Sequence, residues 1–133
     1  MDYPKIGCIV MLPCDNGSVG GYVGIECAKG RGKILPGGKW TPEDGTYRNA
    51  AAREFREETG LIIDPNDLKY IWHGPDGYGY ETFGFLATKY ATGKTCDSPE
   101  GKVCTVTVEE LLQSKYGAWY DVFFSVYWNR MTC

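Results

Sequence analysis

Three glutamates in one short stretch of the sequence have a spacing that could serve metal-dependent chemistry. Glu54, Glu57 and Glu58 are three and four residues apart, which places their carboxylates on one face of a helix within a single turn. Like charges at this spacing repel one another, and a divalent cation such as Mg²⁺ or Mn²⁺, which prefers oxygen ligands, would relieve the repulsion. The alternative is a solvated acidic face on which Arg53 and Arg56 neutralise the glutamates. The glutamates alone do not decide between the two interpretations.

A glycine turn upstream of these glutamates favours a binding site. Leu35, Pro36, Gly37, Gly38 and Lys39 lead from a predicted strand into the loop before the acidic helix. Because glycine has no Cβ, backbone carbonyls and amides in such a turn can approach a ligand or a metal closely. The turn and the glutamates together therefore indicate a site for a metal or a ligand.

The two segments together resemble the signature of the Nudix hydrolases. That signature reads Gly-x5-Glu-x7-Arg-Glu-U-x-Glu-Glu-x-Gly-U, in which U is a bulky aliphatic residue. The matching positions are Gly38, Arg53, Glu54, Glu57, Glu58, Gly60 and Leu61. Phe55 occupies one of the aliphatic positions. The resemblance extends from this segment to the whole chain, which begins with a predicted N-terminal hairpin and ends in a predicted helix.

The loop between the turn and the helix departs from the signature by one residue. Counting forward from Gly38 puts the signature glutamate at Asp44, whereas counting back from Arg53 puts it at Gly45. We therefore expect Asp44 or Glu43 to replace it. In the family this residue braces the loop, often against the arginine that corresponds to Arg53.

The resemblance implies an enzyme that hydrolyses a nucleoside diphosphate linked to another group, by attack of water and with Mg²⁺ or Mn²⁺ as cofactor. The implied metal ligands are Gly38, through its carbonyl oxygen, Glu54, Glu57 and Glu58. The implied catalytic residues are Arg53, Glu54, Glu57 and Glu100. The general base would be one of the helical glutamates or a glutamate from a later loop, for which Glu100 competes with Glu81. The alternatives are that Glu100 is a solvated loop residue and that Glu81 lies on the polar face of a strand.

The substrate is less constrained than the reaction. Basic side chains near the turn could bind phosphates, and tyrosines could stack on a base. The predicted substrate-binding residues are Arg31, Lys33, Lys39, Tyr78 and Tyr80. In its compactness and its Glu100-Gly101 loop the chain resembles the small nucleoside-triphosphate pyrophosphohydrolases. This resemblance implies a nucleoside triphosphate as the substrate, converted to a nucleoside monophosphate and pyrophosphate. The alternatives are ADP-ribose, a dinucleoside polyphosphate, an RNA 5′ end, or nucleotide binding without turnover by a sensor.

Hydrophobic periodicity and turn residues predict the elements that position these groups. Strands are predicted at residues 6–14, 19–27, 34–35, 68–73, 81–88 and 103–106. Helices are predicted at residues 46–59, after a capping box that runs from Thr107 to Glu110, and at the C-terminus. The predicted apolar stripe of the last helix consists of Trp119, Val122, Phe123, Val126, Tyr127, Arg130 and Met131. Mixed strands with two substantial helices predict an α/β or α+β sandwich, and the resemblance implies an α/β/α sandwich with a mixed central sheet.

Composition limits the remaining function classes. The 133 residues are 43% hydrophobic and 23% charged, which predicts one globular domain over residues 1–133. A net charge of −3 gives no strong sign of nucleic-acid binding, and no apolar run is long enough for a membrane span, so we expect a cytoplasmic protein. The six cysteines are expected to be reduced and mostly buried, and His73 to be structural. The aromatic excess of the last helix fits either a deep core or a homodimer contact.

Overall fold

The computed structural model describes residues 3–14 and 21–132. Within them, the strands are Ile6–Met11 (β1), Gly21–Cys27 (β2), Lys33–Ile34 (β3), Gly37–Lys39 (β4), Leu61–Ile62 (β5), Leu68–Pro75 (β6), Glu81–Ala87 (β7), Thr92–Gly93 (β8) and Gly101–Thr107 (β9). The α-helices are Tyr47–Thr59 (α1), Val108–Leu112 (α2) and Gly117–Thr132 (α3). Short 3-10 helices lie at Pro42–Asp44 and Pro65–Asp67.

The central sheet is mixed, as the resemblance implies. Its strand order is β4-β1-β7-β6, in which β1 runs parallel to β7 and the other neighbours are antiparallel. A second, antiparallel sheet has the order β3-β2-β9, and β5 pairs with β8. Helix α1 lies against β1 and β4, and α3 lies against β6. This arrangement confirms the predicted α+β class.

Among the described residues, the predicted N-terminal hairpin forms only past the end of β1, where Pro13 and Tyr22 make an isolated antiparallel bridge. The first strand ends at Met11, and β1 and β2 belong to different sheets because both edges of β1 are already bonded, one to β4 and the other to β7. The two segments meet only beyond β1, where the Cys14 N–H donates to the Gly21 carbonyl over 2.8 Å and the Val23 N–H donates to the Leu12 carbonyl over 2.9 Å. The predicted turn at residues 15–18 lies outside the described residues.

Helix α1 begins and ends where its sequence predicts. The Thr46 side chain caps the first turn by accepting a hydrogen bond from the Asn49 N–H over 3.0 Å. Gly60 ends the helix at a φ of +80°, a conformation that glycine adopts without steric cost, and its N–H bonds to the Arg56 carbonyl. Small residues and Phe55 form the face that packs on the central sheet. The opposite side of the helix is therefore free to present charged side chains.

The last helix buries a different stripe from the predicted one. Trp119 and Phe123 are buried as expected, but they are joined by Tyr120 and Phe124, whereas Val122 is 46% exposed. Two hydrogen bonds fix this rotation, because Trp119 Nε1 donates to the Gly74 carbonyl and the Tyr120 hydroxyl accepts from the Leu35 N–H. The side chain of Met131 lies outside the described residues. No helix in the described part of the chain is long and apolar enough to cross a membrane.

Two hydrophobic clusters lie on either side of the central sheet. One joins α1 to β1 and β7 around Phe55 and Phe85, and the other joins α2 and α3 to β2 and β6 around Phe123 and Ile71. The cysteines contribute little to linking them, since the five described ones are free thiols, as predicted. Of these five, only Cys8 and Cys27 are buried, so for the described cysteines the expectation of mostly buried thiols is wrong.

Phe55 is the anchor of α1, and its removal tests this packing. It is fully buried, so Phe55→Ala leaves a cavity between α1 and the sheet and is expected to lower the free energy of unfolding by about 3–5 kcal/mol. Urea denaturation measures the change. Arg56→Ala, on the exposed side of the same helix, is the matched control and is expected to change stability by less than about 0.5 kcal/mol. Similar stabilities of the two variants would contradict the assigned packing.

Candidate active site

A cleft of about 610 Å³ lies between the glycine turn, α1, and the loops that precede α3 and β9. Eight of the eleven sequence-predicted site residues contribute to its lining. These eight are Arg31, Gly38, Lys39, Arg53, Glu54, Glu58, Tyr80 and Glu100. The cleft size is typical of small-molecule sites in proteins.

Glu58 is a buried carboxylate at this cleft. Its residue is only 7% exposed, and its Oε1 accepts a hydrogen bond from the Gly37 N–H over 3.1 Å. Burial raises the pKa of Glu58 to about 8, and the negative charges of Glu54, Glu100 and Glu57 also raise it. Within the described residues Glu58 forms no ion pair, so its carboxyl group would need a counter-charge from elsewhere to stay ionised at neutral pH.

Glu54 lies against the glycine turn, one helical turn from Glu58. A Cβ at Gly38 would overlap the Glu54 carboxylate, so the absence of a side chain at Gly38 leaves room for this group. Burial raises the pKa of Glu54, and a hydrogen bond from Arg53 opposes the rise. The turn and the helix therefore bring two partly desolvated carboxylates close to the Gly37–Gly38 backbone.

Arg53 holds the acidic side chains of the helix in place. Its NH1 group donates to Glu54 over 2.9 Å and to Glu57 over 3.1 Å. Its NH2 group donates to the Lys39 carbonyl over 3.0 Å, which ties the helix to the end of β4. Hydrogen bonds to Asp44 and Glu54 raise the pKa of Arg53 above its already high ordinary value, so it stays charged.

Asp44 binds Arg53 in the loop that is one residue longer than the signature. Its carboxylate accepts from Arg53 Nε over 2.6 Å and from NH2 over 3.0 Å, a bidentate arrangement. The Arg53 hydrogen bonds lower the pKa of Asp44 below its ordinary value. Glu43, the other sequence candidate for this position, is exposed. The contact at Asp44 is the one that the resemblance implies for the signature glutamate.

Gly45 accommodates the additional residue. It follows the 3-10 helix at a φ of +74°, and a Cβ at this position would meet nothing within 4 Å. Trp40 Nε1 donates to the Gly45 carbonyl over 3.0 Å and closes the loop from the other side. The additional residue is therefore accommodated at Gly45, directly after Asp44, and the contact between Asp44 and Arg53 is kept.

The glycine turn itself is fixed from two sides. Gly37 and Gly38 pair with Ile9 and Cys8 of β1, so a Cβ on Gly37 would overlap the Cys8 carbonyl. On the other side the buried Tyr120 hydroxyl accepts a hydrogen bond from the Leu35 N–H over 2.9 Å. Sequence reasoning missed this role of Tyr120, although the excess of aromatic residues in the last helix was a signal.

Basic and aromatic side chains line the rest of the cleft. Arg31 forms an ion pair with Glu100 over 3.3 Å, and Lys39 Nζ lies 5.4 Å from the centre of the Tyr80 ring. The lining also contains residues that were not predicted to belong to the site. Those that bear charged or aromatic groups are Lys29, Asp76, Tyr116, Trp119 and Tyr120. Only the aromatic cluster at the start of α3 was visible as a pattern.

Three predicted residues lie outside the lining. Glu57 is on the exposed rim, where it binds Arg53. Lys33 does not enter the cleft, because on β3 its ammonium group pairs with Glu110 over 2.8 Å. Tyr78 is 53% exposed and lies edge-on against Tyr116, which does line the cleft.

Glu81, the rival of Glu100 for the base, is also absent from the cleft lining. Its carboxylate lies 2.6 Å from Nδ1 of His73, at the edge of the sheet. His73 in turn stacks on Phe83, with ring centres 4.3 Å apart. Of the two later glutamates, Glu100 is therefore the one that the fold brings to the cleft.

The donor set at the cleft fits a hard divalent cation. Among the residues described, no three His, Cys, Asp or Glu side chains already converge as ligands. The test of fit is Glu58, a buried carboxylate without an ion-pair partner in the described residues, beside a second carboxylate and a glycine turn. Carboxylate and carbonyl oxygens are the ligands that Mg²⁺ and Mn²⁺ prefer. A cation between the turn and α1 would supply the missing counter-charge.

Comparisons with known proteins agree with this geometry. The NUDIX domain model matches residues 22–126. A MutT protein from Methanosarcina mazei Go1 has a similar structure, with a TM-score of 0.69, 20% identity, and 98% of each chain covered. The E. coli ORF135 protein has a TM-score of 0.69 at 17% identity, covering 92% of this chain and 89% of that chain. For a mutator MutT protein from Bacillus halodurans the TM-score is 0.63 at 20% identity, covering 83% and 72%.

These structural similarities, all at low identity, concern the fold. No curated protein sequence matches the chain.

The Asp44–Arg53 contact predicts a pH-dependent contribution to stability. We expect Asp44→Asn to lower the free energy of unfolding by about 1–2 kcal/mol at neutral pH, because charged hydrogen bonds are lost. Since the folded-state pKa of Asp44 is lowered from 3.8, this contribution is full above pH 3.8 and disappears as the pH falls through the lower folded-state value. Urea denaturation of both proteins between neutral pH and about pH 3 measures it.

Glu43→Gln, an exposed neighbour, is the control and should leave stability unchanged within about 0.5 kcal/mol. If the free energies of unfolding of wild type and Asp44→Asn differed as much at about pH 3 as at neutral pH, the assigned contact would be contradicted.

Proposed function

This chain belongs to the NUDIX domain family, and we propose that it hydrolyses a nucleoside triphosphate to a nucleoside monophosphate and pyrophosphate with Mg²⁺ or Mn²⁺ as cofactor. Membership makes it a hydrolase of phosphoric anhydride bonds in nucleoside diphosphate-linked substrates. The observation that carries the finer proposal is the buried, unpaired carboxylate of Glu58 beside Glu54, in a cleft that also contains basic side chains.

Four groups would hold the cations. They are the Gly38 carbonyl oxygen and the carboxylates of Glu54, Glu57 and Glu58. When bound, such cations neutralise phosphate charge, polarise the phosphorus and lower the pKa of water. Arg53 supports this role by orienting Glu54 and Glu57, while the Gly37 N–H orients Glu58.

Glu100 is our candidate for the general base. Its side chain is 55% exposed and lines the cleft, and it contributes to the electrostatic field at Glu58. Its carboxylate would accept a proton from the attacking water. Glu54 and Glu57 are less suited to that step, because Arg53 binds them over 2.9 and 3.1 Å, whereas the contact of Glu100 with Arg31 is longer, at 3.3 Å.

Basic and aromatic residues support a nucleotide as the substrate. Arg31, Lys39 and Lys29 line the cleft and could neutralise several phosphate groups, which suits a triphosphate. Tyr80 and Tyr116 offer ring faces or edges to a base. The cleft volume of about 610 Å³ favours a mononucleotide over a dinucleoside polyphosphate.

A panel assay tests the proposal. We expect release of nucleoside monophosphate from one or more canonical or oxidised nucleoside triphosphates in the presence of Mg²⁺ or Mn²⁺. ADP-ribose, dinucleoside polyphosphates and a 5′-triphosphorylated RNA oligonucleotide complete the panel, with products separated by chromatography. Turnover confined to one of these three would replace the triphosphate proposal with that substrate.

Glu58→Gln is expected to reduce turnover by several orders of magnitude without unfolding the protein. Glutamine keeps the shape and can still accept the hydrogen bond from the Gly37 N–H, but it lacks the charge that a cation requires. Initial rates and circular dichroism provide the two readouts. Glu43→Gln, which removes an exposed charge outside the cleft lining, should retain the wild-type rate.

Near-normal turnover of Glu58→Gln would contradict the assignment of the site. Nucleotide binding without turnover across the panel would instead favour a sensor. The altered loop around Asp44 gives the sensor no support, because Asp44 binds Arg53 in that loop.

Two adjacent glycines of the turn are expected to respond differently to alanine. At Gly38 the added methyl group meets the end of the flexible Glu54 side chain, so Gly38→Ala should displace this carboxylate and lower kcat with little loss of stability. At Gly37 the methyl group meets the backbone of Cys8 and Ile9, so Gly37→Ala should chiefly lower the free energy of unfolding. Thermal unfolding and initial rates of both variants measure this contrast, and equal loss of stability in both would contradict it.

A further inference from the structure

The ion pair between Arg31 and Glu100 occupies two groups that the proposed reaction needs separately. Both residues line the cleft, and their side chains are 28% and 55% exposed. The NH2 group of Arg31 lies 3.3 Å from the Glu100 carboxylate, a long contact for a charged pair. The phosphate-binding candidate and the base candidate therefore neutralise each other in the structure.

The backbones that carry the two side chains are tied down. The Arg31 carbonyl accepts from the Lys115 N–H over 3.1 Å, and the neighbouring Gly32 carbonyl accepts from the Cys27 N–H over 3.0 Å. The Glu100 carbonyl accepts from the Ala28 N–H over 3.1 Å. Separation of the pair therefore needs only rotation of the side chains, while the loops stay in place.

Arg31 has hydrogen-bonding capacity that Glu100 does not use. Its Nε is buried without a hydrogen-bond partner in the described part of the chain, and only NH2 contacts Glu100. A guanidinium group has five N–H donors arranged for bidentate contacts with carboxylate or phosphate. Because Nε is buried, a phosphate group in the cleft would bind the terminal NH groups, where a bidentate contact could replace the single long one.

We infer that the pair is an exchange contact: a phosphate group of the substrate replaces Glu100 on Arg31 and thereby releases the Glu100 carboxylate into the cleft. The inference rests on the proposed function, because it concerns how substrate binding controls the availability of Glu100 in that same site. In the free protein, Glu100 competes with anions for Arg31. In the complex, Arg31 neutralises the substrate and Glu100 becomes available to accept a proton.

Competition predicts that the loss of Glu100 tightens anion binding. Exposed ion pairs contribute at most about 1 kcal/mol, which corresponds to about a fivefold change in Kd. We therefore expect Glu100→Gln to bind inorganic tripolyphosphate about two- to fivefold more tightly than wild type. Isothermal titration calorimetry in EDTA at low ionic strength measures this without divalent cations.

Two controls separate exchange from a general change in charge. Asp76→Asn removes another carboxylate from the same cleft, one whose Oδ1 accepts from the Tyr78 and Tyr80 N–H groups and which forms no ion pair among the described residues. It is expected to tighten binding less than Glu100→Gln does. Arg31→Gln is expected to weaken binding, and Glu100→Gln added to it should give no further gain.

Three outcomes would overturn the inference. They are equal affinities of wild type and Glu100→Gln, an equal gain in Asp76→Asn, and a gain that persists in the double variant. Absence of tripolyphosphate binding to wild type would also overturn it, since Arg31 would then not be an anion site.

Steady-state kinetics supply an independent readout. Release of Glu100 by the substrate predicts that Glu100→Gln lowers KM together with kcat, whereas Arg31→Gln raises KM. A merely structural pair predicts losses of stability in both variants and no fall in KM. The nucleotide panel is a separate assay. Turnover in the panel without tighter tripolyphosphate binding by Glu100→Gln would contradict only the exchange. Tighter binding without turnover in the panel would contradict only the proposed function.

Discussion

One guanidinium group makes the acidic helix compatible with this fold. The carboxylates of Glu54 and Glu57 lie within one turn of α1 and would repel each other, but Arg53 binds both and also binds Asp44 and the Lys39 carbonyl. These contacts join the helix, the loop before it and the end of β4 at one charged point. This charge network joins the two halves of the candidate site, together with the packing of Phe55 and the hydrogen bond from the Gly37 N–H to Glu58.

Glu58 is the exception to this neutralisation, and its isolation is informative. It is the most buried of the helical glutamates, yet within the described residues Arg53 does not reach it and its one hydrogen bond comes from the Gly37 N–H. Because burial raises its pKa to about 8, the group favours its neutral form near pH 7, and a counter-charge would favour the ionised form. Any cation that binds there stabilises the folded chain relative to the unfolded chain. The burial of Glu58 without a counter-charge therefore favours binding of a positively charged ligand at this site.

Local signals made α1 and the glycine turn predictable, because the Thr46 cap, the Gly60 end and the charge spacing all lie within a few residues of what they determine. The departure at Asp44 was also interpretable, since its partner Arg53 is nearby in sequence. Non-local pairing was not predictable. The sequence of residues 6–14 contains no signal that places β1 between β4 and β7. Likewise, the residues around Lys33 do not indicate that Glu110 is its partner. The rotation of α3 likewise depends on distant carbonyl and amide groups, at Gly74 and Leu35.

The positive φ of Gly45 allows the loop to be one residue longer than the signature without a change in the position of α1. Because the additional residue is placed where the chain faces open space, Asp44 and Arg53 keep their contact although the count between them differs from the signature. One more residue between Asp44 and Arg53 in the sequence therefore does not prevent contact between their side chains in the folded site. The change in loop length is thus confined to a single glycine between two fixed contacts, the Asp44–Arg53 pair before it and the Thr46 cap of α1 after it.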